Sequence, residues 1–504
     1  KTRFVGGLQC FKRLHMECYQ RDLMDPIDPG LQAIFDTGNG VGELARKRFP
    51  DGRLIEEPYF EHSQAVSKTT QLLSDPSIPA FYEAAFEFSK IRIRVDIFRR
   101  NADGAFDLIE VKSGTSVKSE HIPDVAIQLH VLEGLGFEIN QVYLMHIDNT
   151  YTYQGGDYNL EELFKLEDIT EKARDFCSEI IPQKLDEMWQ ILDQHSPPLI
   201  SIGAHCTSPY KCPFYGHCHQ DLPESPIKEL PRINKKLRDS LQDSGFKDIR
   251  EIPEDYPGLN DLQKRVISSL ETGSLFISKE APEIISGILY PLSFIDFETF
   301  NPALPIYRLT RPFQPIPFQW SLHIQYLSGQ LEHQEFLYEK PEDPRLSFVE
   351  TLLDAVPDVG TIIAYSGYEE STIKQLATLF PQFEYELLSL CDRIFDLLKL
   401  VREHYYHPQF HGSFSIKSVL PAIVPNMGYS DLNIQHGLIA AIDFGKLISP
   451  DTPDAIKNDT KQALLEYCQR DTEAMVRILE NLAAGAAVLD GARCVVVVER
   501  LDLH

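Results

Sequence analysis

Three cysteines lie close together in one loop, residues 201–219, which reads SIGAHCTSPYKCPFYGHCH. Cys206, Cys212 and Cys218 are equally spaced, and the prolines and glycine between them predict irregular backbone. Three thiols in so short a loop are typical of a metal centre with four ligands, of which this loop would supply three. The candidate for the fourth ligand is Cys10, far upstream. Such a centre would join the start of the chain to the end of its first half and enclose one domain.

Two kinds of metal centre are compatible with these thiols. His205, His217 and His219 lie beside the cysteines, and three cysteines with one histidine would bind zinc. The spacing differs from the CxxC pairs of a zinc ribbon, however, and an all-cysteine set also suits an iron–sulfur cluster. The other cysteines are interpreted as ordinary buried or partly buried thiols: Cys18, Cys177, Cys391, Cys468 and Cys494.

Length and composition set broad limits on the class of protein. A chain of 504 residues is too long for one core, so we expect two or three domains. No apolar run is long enough for a transmembrane helix, and the first residues do not resemble a secretory signal. Nine scattered cysteines argue against a disulfide framework and favour the cytoplasm. The net charge of −27 argues against a protein that coats nucleic acid, but a nuclease needs only a locally basic groove.

A predicted β-hairpin in the first half carries charged residues suited to metal chemistry. Residues 91–98 alternate apolar and charged side chains, NADG supplies the turn, and FDLIEVK (Phe106–Lys112) is the return strand. Glu110 and Lys112 share a face of that strand, and the register would bring Asp96 beside them. Carboxylates so placed can hold Mg²⁺ or Mn²⁺, and the lysine can stabilise developing negative charge. A surface salt bridge on a hairpin is the alternative interpretation.

A helix over residues 124–135, with Gln128 facing inward, and a strand over residues 142–147 follow the hairpin, which predicts an α/β core. Cys10, Asp96, Glu110-Val111-Lys112, Gln128 and the three loop cysteines occur in an order that resembles the PD-(D/E)xK nucleases of the RecB type. The closer resemblance is to their iron–sulfur branch, which contains the CRISPR-associated RecB-like exonucleases and the AddB nuclease domain. It covers essentially residues 1–220.

That resemblance implies specific roles for these residues. In the family, one N-terminal and three C-terminal cysteines hold a 4Fe–4S cluster that closes the nuclease domain. The implied cluster ligands are Cys10, Cys206, Cys212 and Cys218. The implied catalytic residues are Asp96, Glu110, Lys112 and Gln128. The implied metal set is Glu43, Asp96, Glu110 and Val111. The sequence departs from the family in a wider first step between the loop cysteines, and in Glu43 (or Glu83) at a position that is usually histidine.

Residues 226–285 are predicted to form a helical linker. Prolines mark its start, and residues 233–245 and 259–270 are expected to be helices around a turn, which resembles a helix–hairpin–helix unit. A basic cluster in this region could hold a phosphate backbone: Arg232, Lys235, Lys236 and Arg238. A helical spacer with a solvated charged face is the alternative.

The second half contains an apolar strand, LSFIDFETF (Leu292–Phe300), that carries two acids. Asp296 and Glu298 are two residues apart and share a face, where divalent cations would offset the cost of burying them. We expect a hairpin, a helix, a strand and a further helix to follow: residues 319–327 with 331–338, then 345–355, 361–365 and a helix beginning near Glu369 and Glu370. Asp396 and Asp443 are interpreted as helix-capping or solvated residues.

Residues 464–479 predict an amphipathic helix on which Tyr467 and Asp471 share a face. The order of parts resembles the RNase H-like DEDD exonucleases in their tyrosine-bearing form. Asp296 and Glu298 match the first motif, Glu370 stands at the second, where the family has aspartate, and Tyr467-x-x-x-Asp471 matches the third. The resemblance implies two-metal hydrolysis, in which the acids hold the ions and the tyrosine orients water at a 3′-terminal phosphodiester.

The sequence therefore predicts two nuclease domains of the α/β class, at residues 1–225 and 286–484, with a tail of unknown role at 485–504. Nearly the whole chain is similar to a bacterial group of RecB-family nucleases. The expected substrate is DNA that is single-stranded or has a free end, guided by Arg92, Arg94 and the basic cluster, in repair or defence. Two alternatives stay open: a binding or scaffold protein with one or both sites inactive, and an RNA-directed 3′–5′ exonuclease.

Overall fold

The computed structural model describes residues 1–490, which divide into two compact units. Unit 1 comprises Lys1–Asp221 with Pro302–Gln314, and unit 2 comprises Leu222–Asn301 with residues 315–490. Each unit combines helices with a β-sheet, so the predicted α/β class is confirmed. Cys494 and positions 491–504 of the predicted tail lie outside the described residues. Across residues 1–490, no helix is both long enough and apolar enough to cross a membrane.

Unit 1 is built on one mixed sheet. Its helices are α1 (Thr2–Gln9), α2 (Phe11–Tyr19), α3 (Pro29–Arg46), α4 (His62–Leu73), α5 (His121–Gly134), α6 (Leu160–Leu163), α7 (Thr170–Glu179), α8 (Ile181–Leu192) and α9 (Tyr215–Cys218). Its strands are β1 (Arg53–Leu54), β2 (Ala80–Phe88), β3 (Ile91–Arg100), β4 (Phe106–Lys112), β5 (Ile139–Ile147) and β6 (Phe164–Asp168), and they lie side by side in that order.

The predicted hairpin is formed by β3 and β4. The two strands are antiparallel, with Ile97 opposite Ile109, and β4 has the predicted bounds. The alternation of apolar and charged residues along β3 sends Ile93, Val95 and Ile97 into the core and leaves the charged residues less buried. β5 then runs parallel to β4, because α5 crosses the sheet between them.

A short segment from the second half of the sequence belongs to unit 1. Within Pro302–Gln314, the Leu309 amide donates to the Tyr153 carbonyl at 2.7 Å, and the Tyr153 amide donates to the Thr310 carbonyl at 3.0 Å. Ala303 is buried in the same apolar cluster as Ile97. Backbone hydrogen bonds and burial thus attach these residues to unit 1, although their neighbours in sequence belong to unit 2.

Unit 2 contains a five-stranded sheet with helices on both faces. Its helices are α10 (Lys235–Asp243), α11 (Asp261–Thr272), α12 (Ala281–Ser286), α13 (Arg345–Ala355), α14 (Tyr368–Leu379), α15 (Glu384–Cys391), α16 (Leu397–His404), α17 (Ile416–Ile423), α18 (Gly437–Ile448) and α19 (Asp454–Asp490). Its strands are β7 (Phe276–Ile277), β8 (Leu292–Phe300), β9 (Ile316–Gln325), β10 (Leu331–Leu337), β11 (Thr361–Ala364), β12 (Ile394–Asp396) and β13 (Tyr405–Tyr406).

The order of the main sheet is β10–β9–β8–β11–β12. β8 and β9 are antiparallel, as are β9 and β10, whereas β11 is parallel to both β8 and β12. β8 and α13 have the predicted bounds, but α19 extends well beyond the predicted helix at both ends. Its apolar face continues in the same register, with Leu464, Met475 and Leu482 all fully buried, so packing stabilises the longer helix.

The two helices predicted for the linker are α10 and α11, and they pack into the core of unit 2. The Asn234 side chain accepts from the Leu237 amide at 2.9 Å and caps α10. Asn260 caps α11 through a reciprocal pair of hydrogen bonds with Gln263, each 3.0 Å long. Leu241 of α10 is fully buried in the main apolar cluster of the unit, so these helices are part of a folded core.

Candidate functional site

Three acids of unit 2 converge on one small volume. Asp296 and Glu298 lie on β8, and Asp471 lies on the face of α19 that packs against this strand. One carboxylate oxygen of each lies within 4.8 Å of the others, and within residues 1–490 no other group of three His, Cys, Asp or Glu residues is so close. Glu298 is 7% exposed and Asp471 is 5% exposed. Buried carboxylates this close repel one another, so the donor set fits a divalent cation bound by oxygen ligands.

A fourth acid near this group is Glu369 on α14. It is 5% exposed, and burial raises its pKa to about 7, with the charges of Asp396 and Asp471 contributing. One of its carboxylate oxygens is buried and has no hydrogen-bond partner among the described residues, so it is available to bind a cation. We call Asp296, Glu298, Glu369 and Asp471 the acidic site.

Glu370, which sequence analysis selected for this position, points elsewhere. Its side chain is 38% exposed and pairs with Lys374 one turn along α14. Neighbouring residues on a helix are about 100° apart around its axis, so Glu369 and Glu370 cannot face the same site. The expected acid is therefore displaced by one residue, because only packing determines which face of α14 is buried.

Burial of the acidic site favours the protonated form of its carboxyl groups. Burial raises the pKa of Glu298 to about 8 and that of Asp471 to about 6. Burial and the neighbouring carboxylates raise the pKa of Asp296 well above its ordinary value. Cys468, next to these groups, has its thiol sulfur 3.5 Å from Asp296 Oδ2. An unusually high pKa for several adjacent acids is typical of a functional site.

Two further residues of unit 2, which sequence analysis missed, contact the predicted catalytic tyrosine and aspartate. Lys417 Nζ of α17 donates to the Tyr467 hydroxyl at 3.0 Å and lies 4.9 Å from the centre of its ring. The Tyr429 hydroxyl donates to Asp471 Oδ1. Burial raises the pKa of Tyr467 above its ordinary value, so its hydroxyl stays protonated and can donate a hydrogen bond. Lys417 and Tyr429 belong to no local motif, and only the folded chain brings them here.

Unit 1 gathers the predicted Asp96, Glu110, Lys112 and Gln128 around the end of β4. Glu110 is 2% exposed, and its Oε1 accepts from Lys112 Nζ at 2.7 Å. Its other oxygen accepts from Gln128 Nε2 at 2.7 Å. Asp96 Oδ2 accepts from the Val111 amide at 2.7 Å, as the hairpin register predicts. The structure therefore places these predicted residues together.

The pKa values of the two carboxylates in this group are shifted in opposite directions. Burial, together with the charge of Glu110, raises the pKa of Asp96 to about 7. Burial alone would also raise the pKa of Glu110, but Lys1 and Lys112 hold it well below its ordinary value. Lys1 Nζ donates to Glu110 Oε1 at 2.8 Å, and Lys112 Nζ also donates to Asp124 Oδ2 at 2.6 Å. Sequence analysis assigned no role to Lys1 or to Asp124, which lies one turn before Gln128.

Glu43 and Glu83, the two candidates for the remaining acid of the predicted metal set, differ in their surroundings. Glu43 is exposed on α3, whereas Glu83 on β2 accepts from Arg46 Nη2 at 2.7 Å, and its charge contributes to the raised pKa of Asp96. Gln128 Oε1 is buried without a hydrogen-bond partner among the described residues. An unpaired buried oxygen beside the buried carboxylate of Glu110 and the half-buried carboxylate of Asp96 fits the binding of a cation by this group.

The four predicted cysteines, Cys10, Cys206, Cys212 and Cys218, line one cavity of about 20 Å³. None forms a disulfide. Gln9 Nε2 binds the loop by donating to the Tyr210 carbonyl at 2.7 Å. We call this the cysteine cavity.

Thiolates bind both iron–sulfur clusters and zinc, so the donor chemistry of the cysteine cavity fits either group. No three of the sulfurs lie within 4.8 Å of one another, since the acidic site is the one group that meets that limit in the described chain. Zn–S bonds of about 2.3 Å in a tetrahedral site place the sulfurs about 3.8 Å apart. The sulfurs of the cysteine cavity would therefore have to move closer together to bind a single zinc ion. His219 stacks on Tyr215 with ring centres 3.7 Å apart, so this histidine has a structural partner.

The other polar residues singled out in the sequence have structural partners. Asp396 Oδ1 caps α16 by accepting from the Lys399 amide at 3.0 Å, as interpreted, and Asp443 pairs with Lys446 at 2.7 Å. Arg94 Nη2 donates to the Glu57 carbonyl at 2.5 Å. Arg92 pairs with Glu87 at 3.0 Å.

One comparison with known proteins gave a match. A family model described as a domain of unknown function (DUF2779) matches residues 293–415, which include Asp296, Glu298 and Glu369 but end before Lys417 and α19. No curated protein and no solved structure matches the chain.

Proposed function

We propose that this protein is a metal-dependent nuclease whose unit 2 removes nucleotides from the 3′ end of DNA. The observation that carries the proposal is the convergence of Asp296, Glu298 and Asp471 within 4.8 Å, with buried Glu369 nearby. The strand order β10–β9–β8–β11–β12, in which β9 alone runs against the others, supports an RNase H-like fold for this unit.

The acidic site would hold the divalent ions of a two-metal nuclease. Mg²⁺ or Mn²⁺ there would supply an activated water and neutralise charge on the phosphate. The protonated hydroxyl of Tyr467 would orient the attacking water by a hydrogen bond. Lys417 donates to this hydroxyl at 3.0 Å, and its charge interacts with Asp471, Glu298 and Asp296, so it would help to offset negative charge on a bound phosphate.

We further propose a second nuclease site in unit 1, of the PD-(D/E)xK type. Asp96 and Glu110 would bind Mg²⁺ or Mn²⁺, Lys112 would position the water, and Gln128 holds Glu110 in its rotamer. The four residues of the cysteine cavity would hold a 4Fe–4S cluster, with zinc as the alternative. Such a group would tie α1 and α2 to the loop at residues 201–219, in support of the nuclease fold.

The experiment follows degradation of a 5′-labelled single strand in Mn²⁺ by protein purified without oxygen. Wild type is compared with Lys112→Ala, Asp296→Ala and the double variant, and Asp443→Ala serves as a control because it pairs only with a surface lysine. We expect Asp296→Ala to abolish a ladder of products shortened from the 3′ end and Lys112→Ala to remove a separate product.

A ribose version of the same strand, run in parallel, decides between DNA and RNA. If wild type leaves both strands intact with Mg²⁺ and with Mn²⁺, the protein is not a nuclease and a nucleic-acid-binding or scaffold function takes its place. Loss of the ladder in Asp443→Ala as well would show that the acids act through stability and not through the site.

A further inference from the structure

Unit 2 contains an open cavity of about 620 Å³ that the proposed cleavage chemistry does not use. Apolar side chains from three helices line it, namely Leu262 of α11, Leu398 of α16 and Ile416 of α17. Two arginines, Arg232 and Arg402, line it as well. We call it the arginine cavity. A mostly apolar surface with a few charged groups is the usual composition of a ligand site.

Among the described residues, neither arginine of the cavity has a carboxylate partner, whereas some other arginines of unit 2 do. Arg345 pairs with Asp343, and Arg470 pairs with Asp431. Within residues 1–490, neither the Arg232 nor the Arg402 side chain forms an ion pair with a carboxylate, although the chain contains 75 acidic residues and only 48 lysines and arginines. A guanidinium group without a protein anion is well suited to bind a phosphate.

Two segments of the chain link the arginine cavity to the acidic site. Tyr365 lines the cavity directly after β11, and Glu369 lies four positions later, near the start of α14. Ile416 lines the cavity directly before Lys417, whose Nζ is 3.0 Å from the Tyr467 hydroxyl. A hydrogen bond of 2.9 Å from the Tyr365 hydroxyl to the Phe414 carbonyl joins these two walls. These two segments offer a path for a strand from the acidic site to the cavity.

We propose that the arginine cavity binds the single strand just upstream of the phosphodiester that is cleaved. Arg232 and Arg402 each bind one backbone phosphate, and the apolar wall receives a base. This inference rests on the proposed function, because it takes a polynucleotide as the substrate of the acidic site. It also specifies the substrate as single-stranded, since a base that is paired and stacked in a duplex cannot turn into the cavity.

Binding without cleavage is the direct test. The affinity of a fluorescein-labelled oligodeoxythymidylate is measured by anisotropy in EDTA, at several salt concentrations. We expect the double variant Arg232→Gln/Arg402→Gln to bind about tenfold more weakly, because two charged phosphate contacts are lost. The slope of log affinity against log salt should fall by about 1.4, or about 0.7 for each phosphate contact with a single strand.

Two further variants control for charge and for folding. Lys399→Gln removes the same charge from an exposed position of α16 outside the cavity, and its affinity should stay within about twofold of wild type. Arg232 is exposed, so Arg232→Gln alone should fold normally and should lower the salt slope by about 0.7. The same oligonucleotide annealed to its complement should bind wild type more weakly than the single strand.

A small substrate separates this inference from the proposed function. The p-nitrophenyl ester of thymidine 5′-phosphate supplies one phosphodiester for the acidic site and has no upstream phosphate for the arginines to bind. With Mn²⁺, the double variant should hydrolyse this ester like wild type, while its KM for the oligonucleotide rises about tenfold. Unchanged affinity and salt slope in the double variant, with cleavage intact, would refute the cavity but leave the nuclease. Failure of wild type on both substrates would refute the nuclease, and the binding data would still decide the cavity.

Discussion

Replacing Glu369 by glutamine should stabilise the metal-free protein at alkaline pH and weaken its response to Mn²⁺. The pKa of this carboxyl is raised from 4.5 to about 7 by burial and by neighbouring acids. Each factor of ten in an acid constant is worth about 1.4 kcal/mol, so the ionised carboxylate costs the folded state about 3 kcal/mol at pH above 7. Glu369→Gln has the same shape and carries no charge.

The sign of the pH dependence follows from proton binding. Between about pH 4.5 and 7 the folded state holds the Glu369 proton and the unfolded chain has lost it. The free energy of unfolding of the metal-free wild type therefore falls through this group as the pH rises across that window. Glu298, with its pKa near 8, and Asp471, near 6, act in the same direction. The glutamine variant should match wild type near pH 5 and exceed it by up to about 3 kcal/mol near pH 8.

The fluorescence of Trp320 reports this change. The chain has two tryptophans, and Trp320 is buried in unit 2, so a Trp189→Phe background leaves a signal from that unit alone. Urea unfolding is measured in EDTA at about pH 5 and about pH 8, then repeated with Mn²⁺, which should stabilise wild type more than the variant. Glu370→Gln is the matched control. If it changed the pH dependence while Glu369→Gln did not, our assignment of the buried face of α14 would be refuted.

Three other changes have expected outcomes. Tyr467→Phe should lower kcat on the oligonucleotide about 100-fold with KM nearly unchanged, and an equal rise of KM would argue against its role in orienting water. Cys212→Ser should lose bound iron or zinc, measured by elemental analysis and visible absorption, whereas Cys177→Ser should retain it; equal metal contents would exclude a four-cysteine centre. Gly412 has φ of 73°, and a Cβ there would lie 1.7 Å from a backbone carbonyl oxygen, so Gly412→Ala should clearly lower the Trp320 unfolding midpoint. Gly428→Ala, with open space around it, should not.

Local periodicity was sufficient to predict several elements with their bounds. β4, β8 and α13 begin and end where the alternation or helical spacing of their apolar residues begins and ends. These signals are short-range, because a side chain two residues along a strand or one turn along a helix has a direction set by the backbone. The same geometry predicted that Asp296 and Glu298 share a face of β8.

Long-range contacts could not be predicted in this way. The choice between Glu369 and Glu370 depends on which side of α14 packs against the sheet, and two adjacent acids give no local signal for it. Lys417 reaches Tyr467 across fifty positions of sequence, and Pro302–Gln314 joins unit 1 although it lies between two strands of unit 2. Sequence by itself determined which residues could carry chemistry and where regular structure lies. The tertiary structure decided which side chains meet, because burial and pairing between distant elements are properties of the whole fold.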